Sequence, residues 1–196
     1  MKIPVYRRPN KSNTMKITKR VKVAPLAQLA TVPVITVDKF TECHVTPDNV
    51  ARNMVSYFNE LGRVLEPQCG TGQLIQALIE NDVEPSHITG VERHCGLFEA
   101  TKARFEGLGV HLVRDCFFEF AEKTPLRFDN ILMNPPFKLY KRHLKAAVSL
   151  LAGQGEIVSL VPITCNLDGF YELERLPNDT FSTAVVNTKL VKYDKK

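Results

Sequence analysis

Asn134-Pro135-Pro136-Phe137 closes an apolar run, Phe128–Met133, and these four residue types suit one kind of chemistry. Two consecutive prolines hold the backbone extended and remove two N–H donors, so the local carbonyls face outward without competition. The Asn134 side-chain oxygen and the Pro135 carbonyl can each accept one N–H bond from an exocyclic amino group. Accepting both draws that nitrogen from planar toward tetrahedral geometry and frees its lone pair for in-line attack on an electrophilic methyl group. Phe137 offers a face on which a planar base could stack. The bland alternative is a proline-rich exit from a buried strand.

A second group, Glu66-Pro67-Gln68-Cys69-Gly70-Thr71-Gly72, follows the apolar run that begins at Val64. Glycines in such a turn let a ligand approach the backbone and leave the next helix N-terminus open. The dinucleotide fingerprint G-x-G-x-x-G is not completed, because Ile75 occupies the third glycine's place. Glu66 would repel a pyrophosphate but tolerate an ammonium group, such as the methionine part of S-adenosylmethionine. Glu92, 20 residues after Gly72, ends the next apolar run. An acid there can accept hydrogen bonds from both hydroxyls of a ribose. Asp115-Cys116-Phe117 follows the third run, where a carboxylate could accept from an adenine amino group while an apolar side chain covers the ring. Asp115 alone could equally cap a helix.

The elements that would position these residues alternate in type. Candidate strands are Arg63–Glu66, His87–Val91, Val110–Val113, Phe128–Met133 and Glu156–Val161, with helical patterns at Gln73–Glu80, Leu97–Phe105 and Lys141–Leu151 between them. That alternation means βαβ units and a doubly wound, mostly parallel sheet covered on both faces. Tyr171–Leu176 and Thr188–Tyr193 alternate like strands with no helix between them, so an antiparallel hairpin closes a seven-stranded sheet. Before the first strand, Thr46-Pro47 reads as an N-cap with proline at the first helical position. Val50, Met54, Phe58 and Leu61 then share a helical face that Gly62 ends.

In order and residue type these motifs resemble the amino-methyltransferases with an Asn-Pro-Pro-aromatic motif, and among them the gamma-class N6-adenine DNA methyltransferases, over about residues 41–196. The resemblance implies a Rossmann-like class I methyltransferase fold with S-adenosylmethionine as cofactor. It implies that Thr46, Glu66, Pro67, Gly70, Gly72, Glu92, Asp115 and Cys116 border the cofactor, and that Asn134, Pro135, Pro136 and Phe137 form the catalytic floor. Phe181 looks like that family's second base-stacking aromatic, although an ordinary core aromatic is the competing reading. The family usually carries a target-recognition domain after the hairpin, whereas this sequence stops at Lys196, just after the last strand. The target is then read weakly, or by a separate recognition partner, or with help from a basic arm.

Residues 1–37 contain eight lysines and arginines and no acidic residue, so of the net charge of +5 the rest of the chain contributes −3. A basic arm over residues 1–40, with one short strand near Val32–Val37, suits a phosphate-bearing partner, while a solubilising tail is the plain alternative. Lys138, Lys141, Arg142 and Lys145, just past Phe137, could touch phosphates or simply form a solvated helix face. Five scattered cysteines without a C-x-x-C pair argue against a disulfide framework, and no metal site is expected. An apolar fraction of 44% with no run long enough for a bilayer points to a cytoplasmic protein without membrane contact. Methylation of DNA adenine N6 leads. RNA adenine or guanine amino methylation, protein glutamine methylation and a non-catalytic binding subunit are the alternatives.

Overall fold

The inner parallel strands of the principal sheet fall where an apolar run meets a turn signal. The computed structural model describes residues 45–180 and 187–196, together with the backbone of three short N-terminal strands. Those strands, β1 (Val5–Tyr6), β2 (Thr14–Lys16) and β3 (Val34–Thr36), pair antiparallel in that order. β3 lies inside the stretch read as a strand. β1 and β2, at two and three residues, are too short for alternation to reveal. The side chains of the basic arm lie outside the described residues.

The principal sheet contains β4 (Val64–Glu66), β5 (Ile88–Val91), β6 (His111–Val113), β7 (Phe128–Met133), β8 (Leu151–Pro162), β9 (Tyr171–Arg175) and β10 (Thr188–Asp194), ordered β6-β5-β4-β7-β8-β10-β9. β6, β5, β4, β7 and β8 are parallel, and β10 runs antiparallel between β8 and β9. The strand order reverses at β4, which opens a crevice beyond the carboxyl ends of β4 and β7.

Helices α1 (Asp48–Ser56), α2 (Gln73–Glu80), α3 (Cys95–Arg104), α4 (Phe117–Lys123) and α5 (Tyr140–Leu150) cover the sheet. Adjacent strand residues feed opposite layers. Val64 and Leu132 pack with α1 and α2, while Leu65, Ile131 and Met133 pack with α4 and α5. Burying each such side chain stabilises by about 1.5–3 kcal/mol, so these parallel strands read as unbroken apolar runs.

Four local readings need correction. Pro47, not Thr46, is the N-cap of α1, its carbonyl accepting from Ala51 N at 2.9 Å. That helix ends at Ser56 rather than near Gly62. The following segment is held by other elements: Asn59 N donates to Glu156 Oε2 at 3.0 Å and Gly62 N to Asn130 Oδ1 at 2.9 Å. α4 was not expected; seven residues with three phenylalanines carry too little helical period to stand out. β8 also starts five residues early, directly from α5, and its register against β7 shifts between Phe128 and Asn130.

Candidate active site

The crevice holds a cavity of about 400 Å³ whose wall is built from the ends of β4, β5, β6 and β7. Beyond β4 the chain turns tightly: Cys69 N donates to Val91 O at 2.9 Å and Gly72 N to Cys69 O at 2.6 Å. α3 clasps this turn from behind, with Thr101 Oγ1 donating to Gly70 O at 2.6 Å and Arg104 Nη1 to Thr71 O at 2.7 Å. Glu66, Pro67 and Gly70 line the cavity as the motif predicts, but Gly72 does not. Gly72 has φ +78°, and a Cβ there would sit 2.5 Å from Phe105 Cε2, so it serves the turn and its packing.

Two buried carboxylates face this space. Glu92 accepts from Gly70 N at 2.9 Å and His94 N at 2.7 Å. Burial raises its pKa, against the opposing pull of those two amides. Each oxygen retains a second lone pair for a ligand hydroxyl. Glu66 is wholly buried, and burial, followed by the charge of Glu92, pushes its carboxyl well above the ordinary range.

Beside them stand buried polar atoms without a protein partner. Among the described residues six side-chain atoms are in this state, and four of them, Glu66 Oε2, Gln68 Oε1, Gln68 Nε2 and Gln73 Nε2, belong to residues of this one cavity wall. Gln73 Oε1 is engaged by the Thr71 hydroxyl. A buried polar atom left unpaired costs roughly 1–3 kcal/mol, so such a concentration marks where a ligand's complementary groups belong. The atoms comprise two acceptors and two donors, the set that an amino acid's ammonium and carboxylate would satisfy.

Another stretch of wall is aromatic. Asp115, Cys116, Phe117 and Phe118 follow β6, and His143 and Leu139 come from the start of α5. Asp115 Oδ1 accepts from Cys116 N at 2.8 Å. Phe118, Gln73, Arg93, Leu97 and His143 were not singled out from the sequence. Of these, His143 left the clearest signal, as a polar residue between Leu139 and Ala147 on an otherwise apolar helical face.

Asn134 lies at the end of β7 on the same wall, and its Nδ2 donates to Thr46 Oγ1 at 3.0 Å. Pro136 and Lys138 line the cavity beside it, and Leu139 N closes the loop onto Pro136 O at 2.9 Å. Pro135 is buried off the wall. Phe137 is half-buried and packs against the core that α1 and α2 share. Lys141, Arg142 and Lys145 are exposed on α5. Phe181 lies outside the described residues. Among the described residues no cluster of histidine, cysteine, aspartate and glutamate could hold a metal ion, and no helix is long and apolar enough to cross a membrane.

No protein-family model matches the sequence, and no curated protein matches it. Solved structures do. TrmN from Thermus thermophilus superposes with a TM-score of 0.61 at 16% identity, over 76% of this chain and 49% of that one. The 23S rRNA methyltransferase ErmE gives 0.60 at 14% identity, over 76% of this chain and 68% of that one. A Listeria monocytogenes protein provisionally assigned to the class I S-adenosylmethionine-dependent methyltransferases gives 0.60 at 16%, over 76% and 60%. This chain thus spans about half of TrmN and three-fifths of the Listeria protein. At these identities the likeness is one of fold: a class I methyltransferase fold, with the mixed seven-stranded sheet expected from the sequence.

Proposed function

We propose that this chain is an S-adenosylmethionine-dependent methyltransferase acting on the exocyclic amino group of a nucleic-acid base, with adenine N6 of DNA as the leading target. The observation that carries this reading is the gathering of unpaired buried polar atoms from Glu66, Gln68 and Gln73 in one cavity with Glu92, Asp115 and Asn134. Bound there, the cofactor would supply an electrophilic methyl group.

The chain's own residues then divide the work. Glu66 would balance the ammonium of the methionine part, and Gln68 and Gln73 would donate to its carboxylate. Glu92 would accept from the ribose hydroxyls, its carboxylate already oriented by Gly70 N and His94 N. Asp115 would take the adenine amino group beside the Phe117–Phe118 wall. Asn134 would accept from the target amino group, an interaction that strengthens as the nitrogen becomes tetrahedral and so falls on the transition state. Lys138, Lys141, Arg142 and Lys145 would hold phosphates beside the extruded base. Phe137, packed on one side against the core, and Phe181 are the candidates for base stacking.

The second reading keeps this chemistry and exchanges DNA for RNA, adenine or guanine. The fold likeness to ErmE, an enzyme of 23S rRNA, supports it. A separate recognition partner fits either reading. Incubation with methyl-labelled cofactor and separate DNA, RNA and protein pools tests all of them, with N6-methyladenine expected in DNA. Label confined to RNA would establish the second reading, and label in protein alone would sink both.

A further inference from the structure

His143 has a fixed role in the aromatic part of the cavity wall, and its geometry says which. The buried ring stacks on Phe117 (centroids 5.8 Å apart, planes 11° apart) and lies 4.5 Å from Phe118 at 41°. The Arg142 guanidinium covers Phe118 at 4.8 Å. This ladder fixes the plane of the imidazole. Its Nδ1 lies 3.0 Å from the Leu139 carbonyl, one helical turn back. A carbonyl can only accept, so Nδ1 carries the proton, and in the neutral ring Nε2 is left with a lone pair. Burial holds the His143 pKa below the ordinary imidazole value, and Arg142 adds to this against the bond to Leu139, so the neutral ring prevails at neutral pH. The result is a hydrogen-bond acceptor set among the aromatic rings of this wall.

We propose that His143 Nε2 accepts a hydrogen bond from the 6-amino group of the cofactor's adenine and makes this end of the cavity selective for an aminopurine. The proposal rests on the S-adenosylmethionine reading and adds a residue to it. Both ring neighbours of His143 belong to the segment that follows β6, where Asp115 also stands, whereas Asn134 sits at the end of β7. The adenine amino group carries two N–H bonds, so Asp115 and His143 can each receive one.

The test uses the full chain, S-adenosylhomocysteine and the analogue whose purine carries hydrogen in place of the 6-amino group, with affinities measured by calorimetry. Wild type should prefer the aminopurine. His143→Phe keeps the stack and removes the acceptor, so its preference should shrink by about fivefold through weaker binding of the aminopurine alone. His143→Gln, which returns an acceptor oxygen, should recover part of the difference. If His143→Phe does not fold, His143→Met reports the same quantity. An unchanged preference in a folded variant lacking the acceptor overturns the proposal while leaving the cofactor reading standing. Failure of wild type to bind S-adenosylhomocysteine at all overturns both.

Discussion

Asn134 Nδ2 donates to Thr46 Oγ1 across 3.0 Å, joining the exit of β7 to the approach of α1, 88 residues earlier. The bond places the amide nitrogen at the threonine and so turns the amide oxygen to its other side. Thr46, read from the sequence both as a helix cap and as a residue bordering the cofactor, lines the cavity and receives the Asn134 amide.

Asn134→Ala should leave cofactor affinity close to wild type and lower methyl transfer by roughly 10²–10³ or more, the range for losing one preorganised transition-state contact. Thr46→Val removes one bond that orients the amide and should cost about three- to tenfold in kcat, with Thr46→Ser restoring it. Single-turnover rates on a DNA or RNA substrate decide this. An Asn134→Ala variant within about tenfold of wild type would remove Asn134 from the catalytic centre.

Glu66 predicts a pH effect of definite sign. Burial and the neighbouring Glu92 hold its proton on to a pH well above the ordinary carboxylate range when the site is empty. A ligand ammonium favours the charged form and lowers that pKa, so binding should release protons, and affinity should rise with pH across the window between the two values. Calorimetry of S-adenosylhomocysteine in buffers of different ionisation enthalpy measures the release, which Glu66→Gln should abolish. Equal release by the variant would assign the proton to another group.

Gly72→Ala tests the distinction between a ligand-facing and a packing glycine. The positive φ and the 2.5 Å approach to Phe105 Cε2 should together destabilise the fold by about 1–3 kcal/mol. Thermal melting should show the loss, and Phe105→Leu in the same background should recover part of it. If melting is unaffected while cofactor affinity collapses, Gly72 belongs to the ligand surface after all.

The α5 cations make a prediction about salt. If Lys141, Arg142 and Lys145 each neutralise a phosphate, replacing all three by alanine should make the slope of log affinity against log salt shallower by about 2–3. Cofactor affinity should not change in the Lys141→Ala, Lys145→Ala pair, which leaves Arg142 over Phe118. An unaltered slope would return these residues to the role of a solvated helix face.

The centre of the sheet was legible because its strands are buried on both faces. Val64-Leu65, Ile131-Leu132-Met133 and Ile157-Val158 read as apolar runs whichever layer each residue feeds. The sites at their ends were legible for a related reason, since strand ends in such a sheet converge on the crevice. What the sequence hid depends on three dimensions. Nothing in the spacing shows that Gly72 meets Phe105, that Phe137 turns inward, or that Glu156 reaches Asn59 and ends α1 early. The short α4 was hidden because Phe117, Phe118 and Phe120 suit a strand as well as a helix. His143 was passed over because a lone polar residue on an apolar helical face gains meaning only from its neighbours.

The position of β10 also governs how the polypeptide can be made. It fills the gap between β8 and β9, both of which leave the ribosome before it, and it bonds to each. Until residues 188–194 emerge, a nascent chain therefore displays the bare edge of β8 from Glu156 to Pro162, which carries the apolar Ile157, Val158, Leu160 and Val161. Lys192 then closes the structure by pairing with Glu156 at 2.9 Å and donating to Tyr57 O at 3.0 Å, which fastens the last strand to the end of α1. Truncation before residue 188 would thus leave β9 unpaired, β8 paired on one side only and Glu156 without its lysine, a species prone to edge-to-edge association. The cavity, lined by residues from 45 to 143, would be complete in composition well before the sheet that supports it could close.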